Sequence, residues 1–202
     1  MLFLLLYLYQ YNLFYFDFRG SGESENGLTS IGCIETDDIF SALKFLAKNY
    51  LKETKILGLY GISMGASIAL YTATHKNIFK AIILEGCYYS YNKVVRRWAW
   101  AHKKVFYFPF VLMVLKKIEK TLGKKPEEFS PKYNIKDLNI PVFFITGQND
   151  YLAKIKDANK LYNLAKEPKQ LWLIEGAEHI TGFEVAPQEY KTKIKTFFNK
   201  YL

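Results

Sequence analysis

Three side chains in this sequence have the chemistry to cleave an acyl bond: Ser63, Asp150 and His179. Ser63 stands in "GISMG", where Gly61, Ser63 and Gly65 meet the pattern G-x-S-x-G. A nucleophile on a sharp strand-to-helix turn leaves little room for side chains two positions away on either side, so glycine is expected at both places. A serine hydroxyl attacks poorly until an imidazole takes its proton. The imidazole in turn needs a carboxylate to fix its tautomer and stabilise the imidazolium. Asp150 follows "FFITGQN" and His179 follows "LWLIEGAE", so both come just after apolar runs, and the chain order is Ser…Asp…His. The glycine–serine pattern is weak by itself; the elements around it decide.

Those elements alternate. "NLFYFDF" (12–18) reads as a buried strand followed by the Gly/Ser turn "RGSGES", and a helix follows with Ile39, Leu43, Leu46 and Tyr50 on its apolar face. "KILGLYG" (55–61) is the next strand, and Ser63 stands at its carboxyl end before the helix-compatible "MGASIALYTAT". "KAIILEG" (80–86), "IPVFFITG" (140–147) and "KQLWLIEG" (169–176) are three more strands. A helix bearing Ile155, Ala158, Leu161, Tyr162 and Ala165 on one face lies between the last two. The chain closes on a helix opened by Pro187, with Tyr190, Ile194, Phe197, Phe198 and Tyr201 as its buried stripe. Near-continuous apolar strands alternating with helices predict an α/β fold: a mostly parallel sheet covered by helices on both faces. In such sheets the reactive site lies beyond the carboxyl ends of the strands, which is where Ser63, Asp150 and His179 fall.

Residues 88–135 break the alternation with a basic, aromatic block whose size and position suit a helical cap insertion. Other polar residues read as structural. His75 is a helix-end residue, His102 a cap surface residue, Asn149 a turn former, and Asp157 a member of the solvated face of its helix. Glu85, at the end of the third strand, is the second choice for the carboxylate and reads as pointing toward the cap.

With 202 residues, half of them hydrophobic, the chain can bury one substantial core, which predicts a single domain over 1–202. Cys33 and Cys87 lack metal-ligand spacing and are too few for a disulfide framework, so a reduced, cytoplasmic setting is expected, and no metal or cofactor is called for. The net charge of +9 is local, because residues 88–126 hold ten Lys/Arg and one Glu while the rest of the chain is balanced; a nucleic-acid partner is therefore not expected. The apolar start "MLFLLLYLYQ" has no basic lead or small-residue cleavage site and is too short to span a bilayer. The oligomeric state is left open.

The chain from Tyr11 onward resembles the α/β-hydrolase superfamily, in its serine-aminopeptidase-like and deacylase-like esterase group. "DFRGSGES" (17–24) is similar to the D-x-R-G-x-G-x-S turn, "GISMGA" to the nucleophile elbow, "PVFFITGQND" to the acid-bearing strand and "GAEHI" to the histidine loop. "DYLAK" (150–154) departs from the small apolar and proline residues usual after the acid. The resemblance implies Ser63 as nucleophile, Asp150 as acid, His179 as base and the Met64 amide as one oxyanion-hole donor. It implies a small-molecule acyl substrate and a serine hydrolase acting on a carboxylic ester through a Ser63 acyl-enzyme. Relatives of this kind carry a strand ending in a His-Gly-type loop about thirty residues before the D-x-R-G turn, with a second oxyanion donor. Asp17 is sixteen residues from Met1, so the resemblance also implies an N-terminally truncated chain that lacks those strands and is aggregation-prone. The alternative is a non-catalytic remnant.

The cap run "VFYFPFVLMVL" (105–115), flanked by "RRWAWAHKK" and "KKIEK", leaves two readings open. Either it forms the apolar wall of an acyl pocket, or its aromatics enter a lipid interface while Arg96, Arg97, Lys103, Lys104, Lys116 and Lys117 attract anionic headgroups.

Overall fold

A computed structural model describes residues 11–30 and 32–202. Among them, four short apolar runs become strands: β1 (Leu57–Ile62), β2 (Phe79–Glu85), β3 (Val142–Gly147) and β4 (Lys169–Ile174). They form one sheet in the order β1-β2-β3-β4, every pair parallel, with Leu84 opposite Gly61 on one side and Phe144 on the other. β3 is buried at every position and β2 at all but Lys80, whereas β1 and β4, the two outer strands, are half-exposed along most of their length.

Parallel neighbours require crossovers, and helices supply them. α1 (Thr36–Asn49) precedes β1, and α2 (Met64–His75) links β1 to β2. The long connection from β2 to β3 contains α3 (Tyr91–Lys103), α4 (Leu112–Leu122) and the single-turn α5 (Pro131–Asn134). α6 (Ile155–Leu164) links β3 to β4, and the short α7 (Gly182–Val185) leads into α8 (Pro187–Tyr201). Side chains alternate across a strand, so the sheet has two apolar faces. Ile82, Leu84, Val142 and Phe144 pack with Ala66, Ala69 and Leu70 of α2 and Leu161 of α6. Ala81, Ile83, Phe143 and Ile145 pack with Tyr190, Ile194, Phe197 and Phe198 of α8. The expected parallel sheet, covered on both faces, is the one observed.

α3 and α4 form a hairpin joined by an irregular turn, Tyr107–Val111, where Phe108 (φ −104°, ψ 134°) leaves the helical backbone. Its inner apolar residues Val94, Val111 and Leu115 pack on Tyr88, Tyr91 and Leu152. It is also tied down by charge. Arg97 Nη2 lies 2.6 Å from Asp157 Oδ2, Lys93 Nζ 3.4 Å from Asp157 Oδ1, and Arg97 Nη1 donates to the Leu152 carbonyl at 2.6 Å. Asp157, expected on a solvated face, is instead buried, with Arg97 and Lys93 of α3 supplying its cations.

Three other expectations are corrected. Residues 12–18 form no strand, and Phe14, Tyr15 and Phe16 are exposed. An extended segment becomes a strand only when a neighbour takes its backbone N–H and C=O groups. In this run Phe14 instead lies tilted against Phe16 and against Phe45 of α1, and Phe16 meets Phe18 edge-on. Tyr50 falls just past the end of α1 and is exposed. The strand read as 55–61 begins at Leu57, leaving Ile56 exposed. The apolar run 1–10 lies outside the described residues. Among the described residues, no helix is long and apolar enough to cross a membrane.

Candidate active site

β1 ends at Ile62 and α2 begins at Met64, so one residue must make the turn. Ser63 makes it with φ 53° and ψ −114°, a left-handed conformation that is costly for a residue with a Cβ. The turn is held from below, since the Ser63 N–H donates to the Glu85 carbonyl at the end of β2, at 2.8 Å. Gly61 is required there. A Cβ on it would lie 2.5 Å from the Gly65 carbonyl oxygen and 2.6 Å from Ala66 Cα. Gly65 is different, because a Cβ at that position meets nothing within 4 Å. Only the first glycine of the pattern answers to the steric argument that predicted both.

The structure brings the three predicted side chains together. Ser63 Oγ lies 2.8 Å from His179 Nε2, and His179 Nδ1 lies 2.7 Å from Asp150 Oδ2. The other carboxylate oxygen, Asp150 Oδ1, accepts the amides of Leu152 at 2.8 Å and Ala153 at 2.7 Å, so Asp150 cannot rotate away without breaking them. The loops after β3 and β4 are stitched to each other. The amide of Gln148 donates to the Ile174 carbonyl and that of Asn149 to the Ala177 carbonyl, while a side chain on Gly147 would collide with the Ala177 and Glu178 carbonyls. His179 is followed by Ile180 at φ 57°, and its ring lies over Gly86, where an added Cβ would come within 3.1 Å of Cε1. Met64 opens α2, so its amide is one of the first-turn N–H groups that a helix leaves without an intrahelical acceptor. His75 and His102 stay apart, stacked on Tyr71 and Trp98.

Glu85 does not face the cap. Its side chain lies on the α8 face of the sheet, where Oε2 accepts the hydroxyls of Tyr60 (2.5 Å) and Tyr190. Burial raises its carboxyl above the ordinary range, against the lowering effect of those two donors. A second buried carboxylate went unread in the sequence. Glu35 accepts hydrogen bonds from Ser30 N–H and Oγ (both 2.6 Å), Thr29 Oγ1 (2.8 Å) and Gly32 N–H (3.0 Å). Burial would raise its carboxyl, but these bonds hold it below the ordinary range. The loop it organises runs beside the elbow, with Gly32 close to Tyr88 and Met64. The available signal was a Glu directly before α1, preceded by a Thr-Ser pair. Both thiols are buried; burial pushes Cys33 up to about 11 and Cys87 higher still, so neither is a thiolate nucleophile at neutral pH.

Among known proteins, the sequence profile of the prolyl oligopeptidase family matches residues 5–202. The uncharacterized protein YqkD of Bacillus subtilis is 25% identical over 191 residues, which are 94% of this chain and 62% of that protein. The uncharacterized protein YfhR of Salmonella typhimurium is 29% identical over 184 residues, 85% of this chain and 56% of that protein. The chain thus spans little more than half the length of these curated relatives. Among solved structures, the Pyrococcus furiosus esterase Pf2001 superposes with a TM-score of 0.80 at 25% identity, covering 99% of this chain and 75% of that one. An acylaminoacyl peptidase of Pyrococcus horikoshii superposes with a TM-score of 0.66 at 17% identity, covering 92% of this chain and 31% of that one, a likeness of fold.

Proposed function

The chain belongs to the prolyl oligopeptidase family, with an α/β-hydrolase fold and a serine-hydrolase type of function, and from that premise we propose that it cleaves carboxylic esters through an acyl-enzyme on Ser63. The observation that carries this reading is the continuous hydrogen-bonded array Ser63–His179–Asp150 at the strand ends, with Ser63 in a left-handed turn. His179 Nε2 takes the proton of Ser63 Oγ as the oxygen bonds to the substrate carbonyl carbon. The Met64 amide donates to the oxyanion that forms. When the tetrahedral intermediate collapses, the C–O bond to the alcohol breaks and His179 returns the proton to that alcohol. Water then repeats the sequence on the acyl-enzyme, releasing the acid and restoring Ser63. Asp150 stays ionised throughout and stabilises the imidazolium.

The test is labelling by a fluorophosphonate with mapping of the modified peptide, together with turnover of p-nitrophenyl esters and the matching anilides. The expected result is a single adduct on Ser63, lost in Ser63→Ala, and ester turnover that falls on the order of 10⁶-fold in that variant. Labelling that survives Ser63→Ala, or none in the parent, overturns the proposal. Anilide turnover matching that of the ester would replace the ester by an amide substrate.

A further inference from the structure

The α3–α4 hairpin has two apolar sides, and the fold uses one. Val94, Val111 and Leu115 face inward and are buried, whereas Trp100, Phe106, Phe108, Phe110, Met113 and Val114 are each between 51% and 75% exposed. Five of these six lie within residues 106–114, and Trp100 joins them, its ring centroid 5.5 Å from that of Phe106. Of the two readings that the sequence left open for this run, the exposure of these outer side chains bears on the lipid-facing one. A patch of large apolar side chains on one end of a domain marks an interaction surface.

We infer that this hairpin end is a docking surface for an anionic lipid membrane. The charge around it selects that occupant. Lys103 and Lys104 stand immediately before the end, Lys116 and Lys117 immediately after it, all four are exposed, and residues 88–118 contain no Asp or Glu. Lys104 Nζ lies 5.8 Å above the Trp100 ring and the Arg96 guanidinium 5.7 Å from Tyr107, so cations flank the rings that would enter the headgroup layer. Aromatic and aliphatic side chains in the centre with lysines around them match an interfacial element that buries its apolar face at the acyl boundary while its lysines meet headgroups. A second copy of the chain fits poorly, since pairing two such ends would set one basic rim against another. Nucleic acid fits poorly too, because Phe106, Phe108, Phe110, Met113 and Val114 offer phosphates no hydrogen bond. Arg97 takes no part; it is committed to Asp157 and Leu152.

The experiment is flotation of the full chain with vesicles of phosphatidylcholine alone and of phosphatidylcholine with phosphatidylglycerol, at low and high salt. Binding is expected only to the anionic vesicles and to weaken with salt. Changing Lys103, Lys104, Lys116 and Lys117 to Gln should weaken it at least about a hundredfold. Changing Phe106, Phe108 and Phe110 to Ser should weaken it more than about tenfold. Circular dichroism should be unchanged in both, since all seven side chains are exposed. A second readout does not depend on those variants: in Trp172→Phe protein, the remaining Trp98 and Trp100 should be quenched by brominated anionic lipid. Equal binding to both vesicle types, or binding to neither, overturns the inference. So does binding to an oligonucleotide that survives the Phe→Ser changes, or lipid-free self-association that those changes abolish.

Discussion

Residues 12–18 and residues 142–147 are similar in the sequence, each a short run dominated by aromatic and aliphatic side chains, and they have opposite fates. β3 is buried at every position between β2 and β4. Among the described residues, 12–18 form no strand, and Phe14, Tyr15 and Phe16 are exposed, with ring contacts from Phe14 to Phe45 and from Phe16 to Phe18. Residues 12–18 carry Asn12 and Asp17 where 142–147 carry only Thr146 and Gly147 as non-apolar members, but the larger difference lies in the neighbours. Strand propensity describes a fit to a pleated surface that other strands must provide.

That comparison can be tested most severely at its buried end. Phe144→Ala in β3 removes a ring from the core shared with α2 and α6 and is expected to cost about 3–5 kcal/mol in urea unfolding. Next in size is Gly147→Ala, which forces a methyl group into the Ala177 and Glu178 carbonyls at the end of the same strand. It should cost about 1–3 kcal/mol and, by displacing the loop that carries His179, lower ester turnover on the order of 10²-fold. An alanine variant with parental turnover would show that the strand end does not position that loop.

Buried carboxylates sharpen the same point for polar groups, whose burial depends on what meets them. Glu85 is raised in the folded state, so it favours folding most when protonated and that contribution declines as pH rises from the ordinary carboxyl range toward the folded value. Glu35 is lowered, so its contribution is present above the ordinary range and is lost as pH falls through the folded value. Melting temperatures across that range should therefore diverge. Glu85→Gln is expected to gain on the parent as pH rises, and Glu35→Gln to lose ground. Parallel curves for the two variants would contradict the assignment. The smallest effect is expected at Phe14→Ser, an exposed ring whose aromatic contacts among the described residues are Phe16 and Phe45, within about 1 kcal/mol of the parent. A loss there comparable to that of Phe144→Ala would erase the contrast between the two runs.

The positions of β1 to β4 along the chain and the three residues of the candidate site were legible because each is announced locally. An apolar run ends, a turn residue follows, and Ser63, Asp150 or His179 stands within a few positions. What could not be read depends on distant partners. Asp157 falls off the apolar stripe of α6 and is buried only because Arg97 and Lys93 arrive from α3, some sixty residues earlier in the chain. The direction of Glu85 is set by Tyr60 on β1 and Tyr190 on α8. The outward residues of the hairpin are apolar, as are its inward Val94, Val111 and Leu115, and spacing alone does not say which set packs on Tyr88 and Leu152.

The bond from Arg97 to the Leu152 carbonyl has a mechanical meaning. The amide of that same Leu152 holds Asp150 Oδ1, and Arg97 is also paired with buried Asp157, an interaction that would cost about 3–5 kcal/mol to break from one side. The hairpin is thus no freely swinging door. A pull on its outer end is passed through Arg97 and Leu152, two hydrogen bonds in series, to the carboxylate that orients His179.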